Sequence, residues 1–110
     1  MNPIETRLDA LWSKAVKVKH HGKCVICYQT ASASHHLIGR RHKSVRWDID
    51  NGVALCVNCH RLVHDGKIKL DIPEEVRILS RQVAKFSGDE LLGIAAELRE
   101  AIKQKETVCT

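Results

Sequence analysis

The stretch NGVALCVNCHRLVH, Asn51 to His64, holds a turn, a strand, a cysteine hook and a histidine-bearing helix in succession. Asn51-Gly52 is an ordinary turn pair. Gly52 to Cys56 reads as a strand leaving that turn, and VNCHRLVH as a helix ended by Asp65-Gly66. On such a helix His60 and His64 share a face, because side chains four apart stack one turn above each other. Cys59 is rotated by about 100° from His60. One short helix therefore offers thiolate to one side and imidazole to another.

Cys56-x-x-Cys59 has an upstream counterpart, Cys24-x-x-Cys27, with 28 residues between the two pairs. Two such hooks supply four thiolates for tetrahedral Zn²⁺, in the closed coordination of a structural site. A thioredoxin-like redox pair needs a βαβ context that is absent. The N-terminus MNPIETRLDALW is charged and has no apolar core of a signal segment, and no apolar run reaches membrane-spanning length. These features predict a cytoplasmic chain with no membrane partner, where paired cysteines favour metal over disulfide. Cys109 is left over as a free thiol near the end of the chain.

At 110 residues, with two Trp, one Tyr and one Phe, the chain is a single domain near the lower size limit for an apolar core. Zinc would add stability that the core lacks. Residues 1–20 read as an N-terminal helix: Asn2 caps, Pro3 takes the first turn, and Ile4, Leu8, Leu11, Trp12, Ala15 and Val16 recur at helical spacing. Residues 23–66 form the zinc-stapled core, with KCVICY as a knuckle, ASHHLI as a strand and GRRHKSVRWDID as a polar loop. Residues 67–110 are a helical extension. Asp71-Ile-Pro-Glu74 resembles a capping box opening PEEVRILSRQVAKF, and GDELLGIAAELREAIKQKE is a last amphipathic helix. The fold class is α+β.

Charge is unevenly placed. Eight basic residues and no acidic one lie between Ala10 and Trp47, whereas eight of each occur from Gly66 onward. The net charge of +5 thus sits in the first half, as expected of a surface that meets phosphate.

In SASHHLIGRR, Ser32 to Arg41, two histidines stand side by side. Such a pair can be incidental, half of a metal site, or a base beside a ligand. His35, on the strand facing the helix, can complete a three-imidazole site with His60 and His64. The order His35-His36, Asn51, His60, His64, framed by the four cysteines, resembles the HNH (ββα-metal) nuclease motif. Its spacing is that of colicin-type nuclease domains, and its cysteine frame that of zinc-stapled phage and prophage members. The likeness runs from about Leu8 to Gly66.

This resemblance implies a treble-clef-like ββα-metal finger that hydrolyses DNA phosphodiester bonds. It makes His36 the general base, a role suited to imidazole because its ordinary pKa lies near neutrality. His35, on the opposite face of the strand, would ligate a catalytic ion with His60 and His64. Asn51 binds the metal in some members and orients the base in the three-histidine type; the second role is favoured here. Three neutral imidazoles suit Zn²⁺, Ni²⁺ or Mn²⁺ better than Mg²⁺, which many members with Asp in place of His35 prefer. Arg40, Arg41, Lys43 and Arg46 are the expected phosphate contacts, with Arg40 nearest the reaction. Trp47 reads as a core anchor, and His20, His21 and His42 as surface residues. The protein would act as a monomer or homodimer, with phage packaging or recombination proteins as candidate partners. The competing reading is a non-catalytic zinc module that binds DNA or another protein. Leu91, Leu92, Ile94, Ala95, Leu98 and Ile102 could form a partner seam for it, but more simply pack on the zinc module or a second copy.

Overall fold

A computed structural model of the chain describes residues 3–108. The expected Asn2 cap and Cys109 lie outside the described residues. Helix α1 (Pro3–Lys19) carries Glu5 in its first turn and Lys17 and Lys19 in its last, each complementing the helix dipole. It ends where His21 and Gly22 take positive φ and the Gly22 amide returns to the Lys17 carbonyl at 2.8 Å. The chain then turns through a knuckle in which Tyr28 amide reaches the Cys24 carbonyl (3.0 Å), and enters β1 (Ala33–His36).

Strand β1 pairs antiparallel with β2 (Gly52–Leu55), in a register that sets His35 opposite Val53 and His36 opposite Gly52. The connection was expected to be a polar loop. It instead contains the short helix α2 (Lys43–Arg46) and a 3₁₀ turn over Ile49–Asn51, opened by the Asp48 carboxylate accepting from the Asp50 amide. Apolar anchors explain the difference: Val45 and Trp47 are buried among the charged residues around them. Helix α3 (Val57–His64) follows β2 directly, with the Cys56 sulfur accepting the Cys59 amide at its start.

The C-terminal part departs further from expectation. Helix α4 spans only Glu74–Ser80, with Pro73 at its cap and no side-chain capping bond from Asp71. Continuing it would bury nothing at Val83, which is 91% exposed, whereas leaving it lets Phe86 reach Trp47 at 6.0 Å between ring centroids. The capping box forms later. Ser87 Oγ accepts from the Glu90 amide while the Ser87 amide donates to Glu90 Oε1, both at 3.2 Å, and α5 (Gly88–Val108) begins there.

Two apolar clusters result. Leu91, Ala95, Leu98 and Ile102 of α5 pack with Leu8, Trp12, Ala15 and Val16 of α1 and with Trp47. The apolar face of α5 is thus covered largely within the chain, by α1 and Trp47, and Leu92 stays on the outer face. Leu55, Cys24, Cys56 and Cys59 form the second cluster, edged by Val25, Ile26, Val53, Val63 and Leu70. The molecule is a small α+β protein with one two-stranded sheet. No helix among the described residues is long and apolar enough to cross a membrane.

Candidate metal centre

The knuckle and the start of α3 bring four sulfurs together. Cys24, Cys27, Cys56 and Cys59 all place their Sγ atoms within 4.8 Å of one another, and Cys27 and Cys56 lie 3.5 Å apart. Thiolates bound at Zn–S distances of about 2.3 Å around a tetrahedron stand about 3.8 Å apart, so the set fits one such ion. The backbone is already arranged for anionic sulfur. Burial pushes the Cys24 thiol up, yet the amides of Cys27, Cys56 and Ile26 and the Cys27 thiol outweigh it and bring it down to about 6. Burial and the three neighbouring thiols push Cys59 up to about 12. Four sulfurs that cannot all hold negative charge unaided are a group that a bound cation could hold together.

The histidines occupy the neighbouring face. His35 on β1 and His60 on α3 stand with ring centroids 5.4 Å apart, and His60 and His64 at 5.9 Å. Imidazoles sharing one tetrahedral ion at about 2 Å from nitrogen set their centroids about 5 Å apart. The three rings are thus neighbours near ligand spacing, although among the described residues only the thiols converge within 4.8 Å. Burial, with His60, His36 and His64 adding to it, lowers the pKa of His35 and favours the neutral form that binds metals.

His36 faces the other way. Its Nε2 donates to the Arg46 carbonyl at 2.9 Å, which leaves Nδ1 as the nitrogen with a lone pair. The ring lies flat on Trp12, with centroids 3.7 Å apart and planes 7° from parallel. Burial lowers its pKa, only partly opposed by the Arg46 carbonyl and Asp9. Asn51 is fully buried behind it. Its Oδ1 accepts the Ile38 amide (2.8 Å), and its Nδ2 donates to the Ile38 and Val45 carbonyls (3.0 Å each). Both polar atoms of Asn51 are engaged by backbone.

The basic loop is less available than its sequence suggested. Arg46, its side chain only 11% exposed, pairs with Asp9 at 2.7 Å; Arg40 reaches the same carboxylate at 3.0 Å, and Lys43 meets Glu5 at 3.1 Å. Among the described residues Arg41 has no carboxylate partner, and it lies exposed beside His42. The stretch without acids is neutralised by two acids of α1 just outside it. His20 also departs from expectation: among the described residues its Nε2 is buried with no hydrogen-bond partner, and burial, Lys19 and His21 lower its pKa against the opposing pull of the Gly52 backbone.

Three residues at the site were not singled out as functional by sequence reasoning: Trp12, Gly52 and Asp9. Trp12 belonged to the helical stripe and Gly52 to a turn pair. Nothing local marks Asp9 as the common acceptor of Arg40, Arg46 and the Trp47 indole.

Fold and site define a small α+β protein whose two CxxC hooks close a four-thiol group, able to hold a metal ion, beside a histidine-bearing hairpin and helix. Anaredoxin of Nostoc sp. (strain PCC 7120 / SAG 25.82 / UTEX 2576) is 36% identical over 61 residues, a match covering 54% of this chain and 79% of that protein. The chain belongs to the family of Anaredoxin. No protein-family model matches it, and no solved structure does.

Proposed function

We propose that this chain is a metal-dependent HNH endonuclease that hydrolyses DNA phosphodiester bonds on a zinc-stapled, treble-clef-like ββα finger. The observation that carries this reading is the division of labour on β1. His35 faces His60 and His64, while the adjacent His36 is turned away, hydrogen-bonded to the Arg46 carbonyl and seated on Trp12.

In this reading His36 is the general base. Its Nε2–H is occupied by a carbonyl, so Nδ1 is the atom that takes a proton from the attacking water. Its lowered pKa keeps it in the basic, neutral form at neutral pH. A divalent ion held by His35, His60 and His64 would supply positive charge to the scissile phosphate. Asn51 positions the loop that carries the Arg46 carbonyl, and so holds the base indirectly. Arg41 is the cation best placed to meet a flanking phosphate, since Arg40, Lys43 and Arg46 already serve carboxylates. Zinc held by Cys24, Cys27, Cys56 and Cys59 would serve structure rather than catalysis, tying the knuckle to α3.

A second reading rests on the same thiolates. A tetrahedral four-sulfur set can hold iron as well as zinc, and the relative's name, Anaredoxin, is in keeping with an electron-transfer centre. That reading leaves the histidines without a task.

One experiment separates them. Supercoiled plasmid is incubated with wild type and His36→Ala, after EDTA treatment and re-addition of Mg²⁺, Mn²⁺, Ni²⁺ or Zn²⁺. Metal-restored nicking by wild type alone is the expected result. Absence of cleavage with every ion, from protein that is visibly coloured and contains iron, supports the redox reading. The same absence from colourless zinc protein that still binds DNA supports a non-catalytic zinc module.

A further inference from the structure

Gly52 is a glycine for steric reasons. Its φ of −141° is ordinary extended backbone, but a Cβ there would lie 2.4 Å from Cζ2 of Trp12 and 2.6 Å from a methyl of Val16. The indole occupies the space that a side chain at position 52 would fill. Across the hairpin from Gly52 stands His36, whose ring is stacked on that same indole. The same edge of the indole is fixed by a hydrogen bond too, because Trp12 Nε1 donates to the Asp48 carbonyl at 2.7 Å. Trp12 is 2% exposed, so this arrangement is locked inside the core cluster.

We infer that Trp12 is a positioning residue for His36: seated over Gly52, its indole fixes the imidazole plane so that Nε2 donates to the Arg46 carbonyl and Nδ1 stays open. The inference rests on the reading of His36 as a base for its consequence in catalysis, but the orientation itself is a property of the folded chain. An imidazole has two faces and two nitrogens of similar shape. The flat contact fixes the plane of the ring but leaves a half-turn about Cβ–Cγ open. The carbonyl rejects that half-turn, which would face it with a C–H, but leaves the ring free to tilt. The two together keep Nε2–H in line with the carbonyl. Trp12 contributes here through its parallel face, which holds the plane, rather than through bulk alone.

The test uses metal-loaded full-length protein and two variants. Trp12→Leu fills much of the space without offering a face, and Trp12→Phe offers a smaller face. The nitrogen chemical shifts of His36 report which ring nitrogen carries the proton, whether or not the protein cleaves anything. Wild type is expected to give the signature of a single Nε2–H tautomer. Trp12→Leu should give a mixture of tautomers, and Trp12→Phe should recover the single form. On a small chromogenic phosphodiester, Trp12→Leu should lower kcat by about tenfold or more at unchanged KM, as a misplaced catalytic group does, and Trp12→Phe should restore most of it. Gly52→Ala, which pushes the indole aside by its own Cβ, should reproduce the Leu result and serves if Trp12→Leu does not fold. A single Nε2–H tautomer in Trp12→Leu or in folded Gly52→Ala overturns the inference. Tautomer mixing in Trp12→Leu, when the wild-type protein cleaves no phosphodiester, would uphold the positioning and overturn only the nuclease reading.

Discussion

Asn51 and Ile38 exchange two hydrogen bonds across the loop between the strands: the Ile38 amide donates to Asn51 Oδ1 at 2.8 Å, and Asn51 Nδ2 donates to the Ile38 carbonyl at 3.0 Å. With a further bond to the Val45 carbonyl, a single fully buried amide closes the segment that presents the Arg46 carbonyl to His36. Asn51→Ala strands these backbone groups and should cost about 3 kcal/mol, at roughly 1 kcal/mol for each lost bond. Asn51→Asp keeps the acceptor but loses both donations and sets a buried carboxylate against the Ile38 and Val45 carbonyls, so it should cost no less. Thermal unfolding measures both, and metal content per folded chain should stay at the wild-type value.

Serine in place of Cys24, Cys27, Cys56 or Cys59 should abolish the thiolate-bound metal and melt the knuckle, because that second cluster is built around the sulfurs themselves. Binding energy at such a site is folding energy. Elemental analysis should find one fewer ion per chain in each variant, and a chelator should destabilise wild type but not the variants.

His60→Ala should remove a different ion. The imidazoles lie apart from the sulfurs, on another side of α3, so this variant should keep the thiolate-bound ion and its fold while losing cleavage by at least about a hundredfold, the range for losing charge stabilisation at a reacting phosphate. Calorimetric titration with Ni²⁺ or Zn²⁺ into protein already holding its structural ion should show one site in wild type and none in His60→Ala.

The cations of the basic loop should divide by role. Arg46→Ala exposes an orphaned Asp9 and should lose about 2 kcal/mol of stability, less than a fully buried pair because Asp9 remains partly wet. Arg41→Ala should leave stability within about 0.5 kcal/mol and reduce the salt dependence of DNA binding by about one counterion. A salt titration of affinity beside a melting curve distinguishes the two.

Asp9 sets an acid limit. Burial raises its pKa, but hydrogen bonds from Arg46 and Trp47 and the charges of Arg46 and Arg40 outweigh burial and leave it below the ordinary 3.8. The folded state therefore binds fewer protons than the unfolded one near that pH, and stability rises with pH there. The contribution is complete above the ordinary value and is lost as pH falls through the folded one. Denaturant unfolding from pH 6 down to about 2 should show this slope in wild type and a shallower one in Asp9→Asn.

What the sequence by itself determined is local or periodic. The two CxxC hooks name a four-sulfur group, His60 and His64 share a helical face through the 3.6-residue period, and His35 and His36 part company through the two-residue period of a strand. The turn at Gly22 and the stop at Asp65-Gly66 follow equally from short-range chemistry. Where a local signal was read too literally it misled. Asp71 looked like the cap of the helix that opens at Glu74, but Pro73 stands at that cap with no side-chain bond, and the reciprocal box is formed by Ser87 and Glu90 at the start of the next helix.

Only the tertiary structure decided what each residue faces across long stretches of chain. Trp12 meets His36 and the bare backbone of Gly52, Asp9 and Glu5 meet the basic loop, and α5 covers α1 in place of a partner. No period links positions so far apart. Their pairing is settled by which arrangement buries the most apolar surface while leaving no buried charge or amide unpaired, and that is a property of the packed chain as a whole.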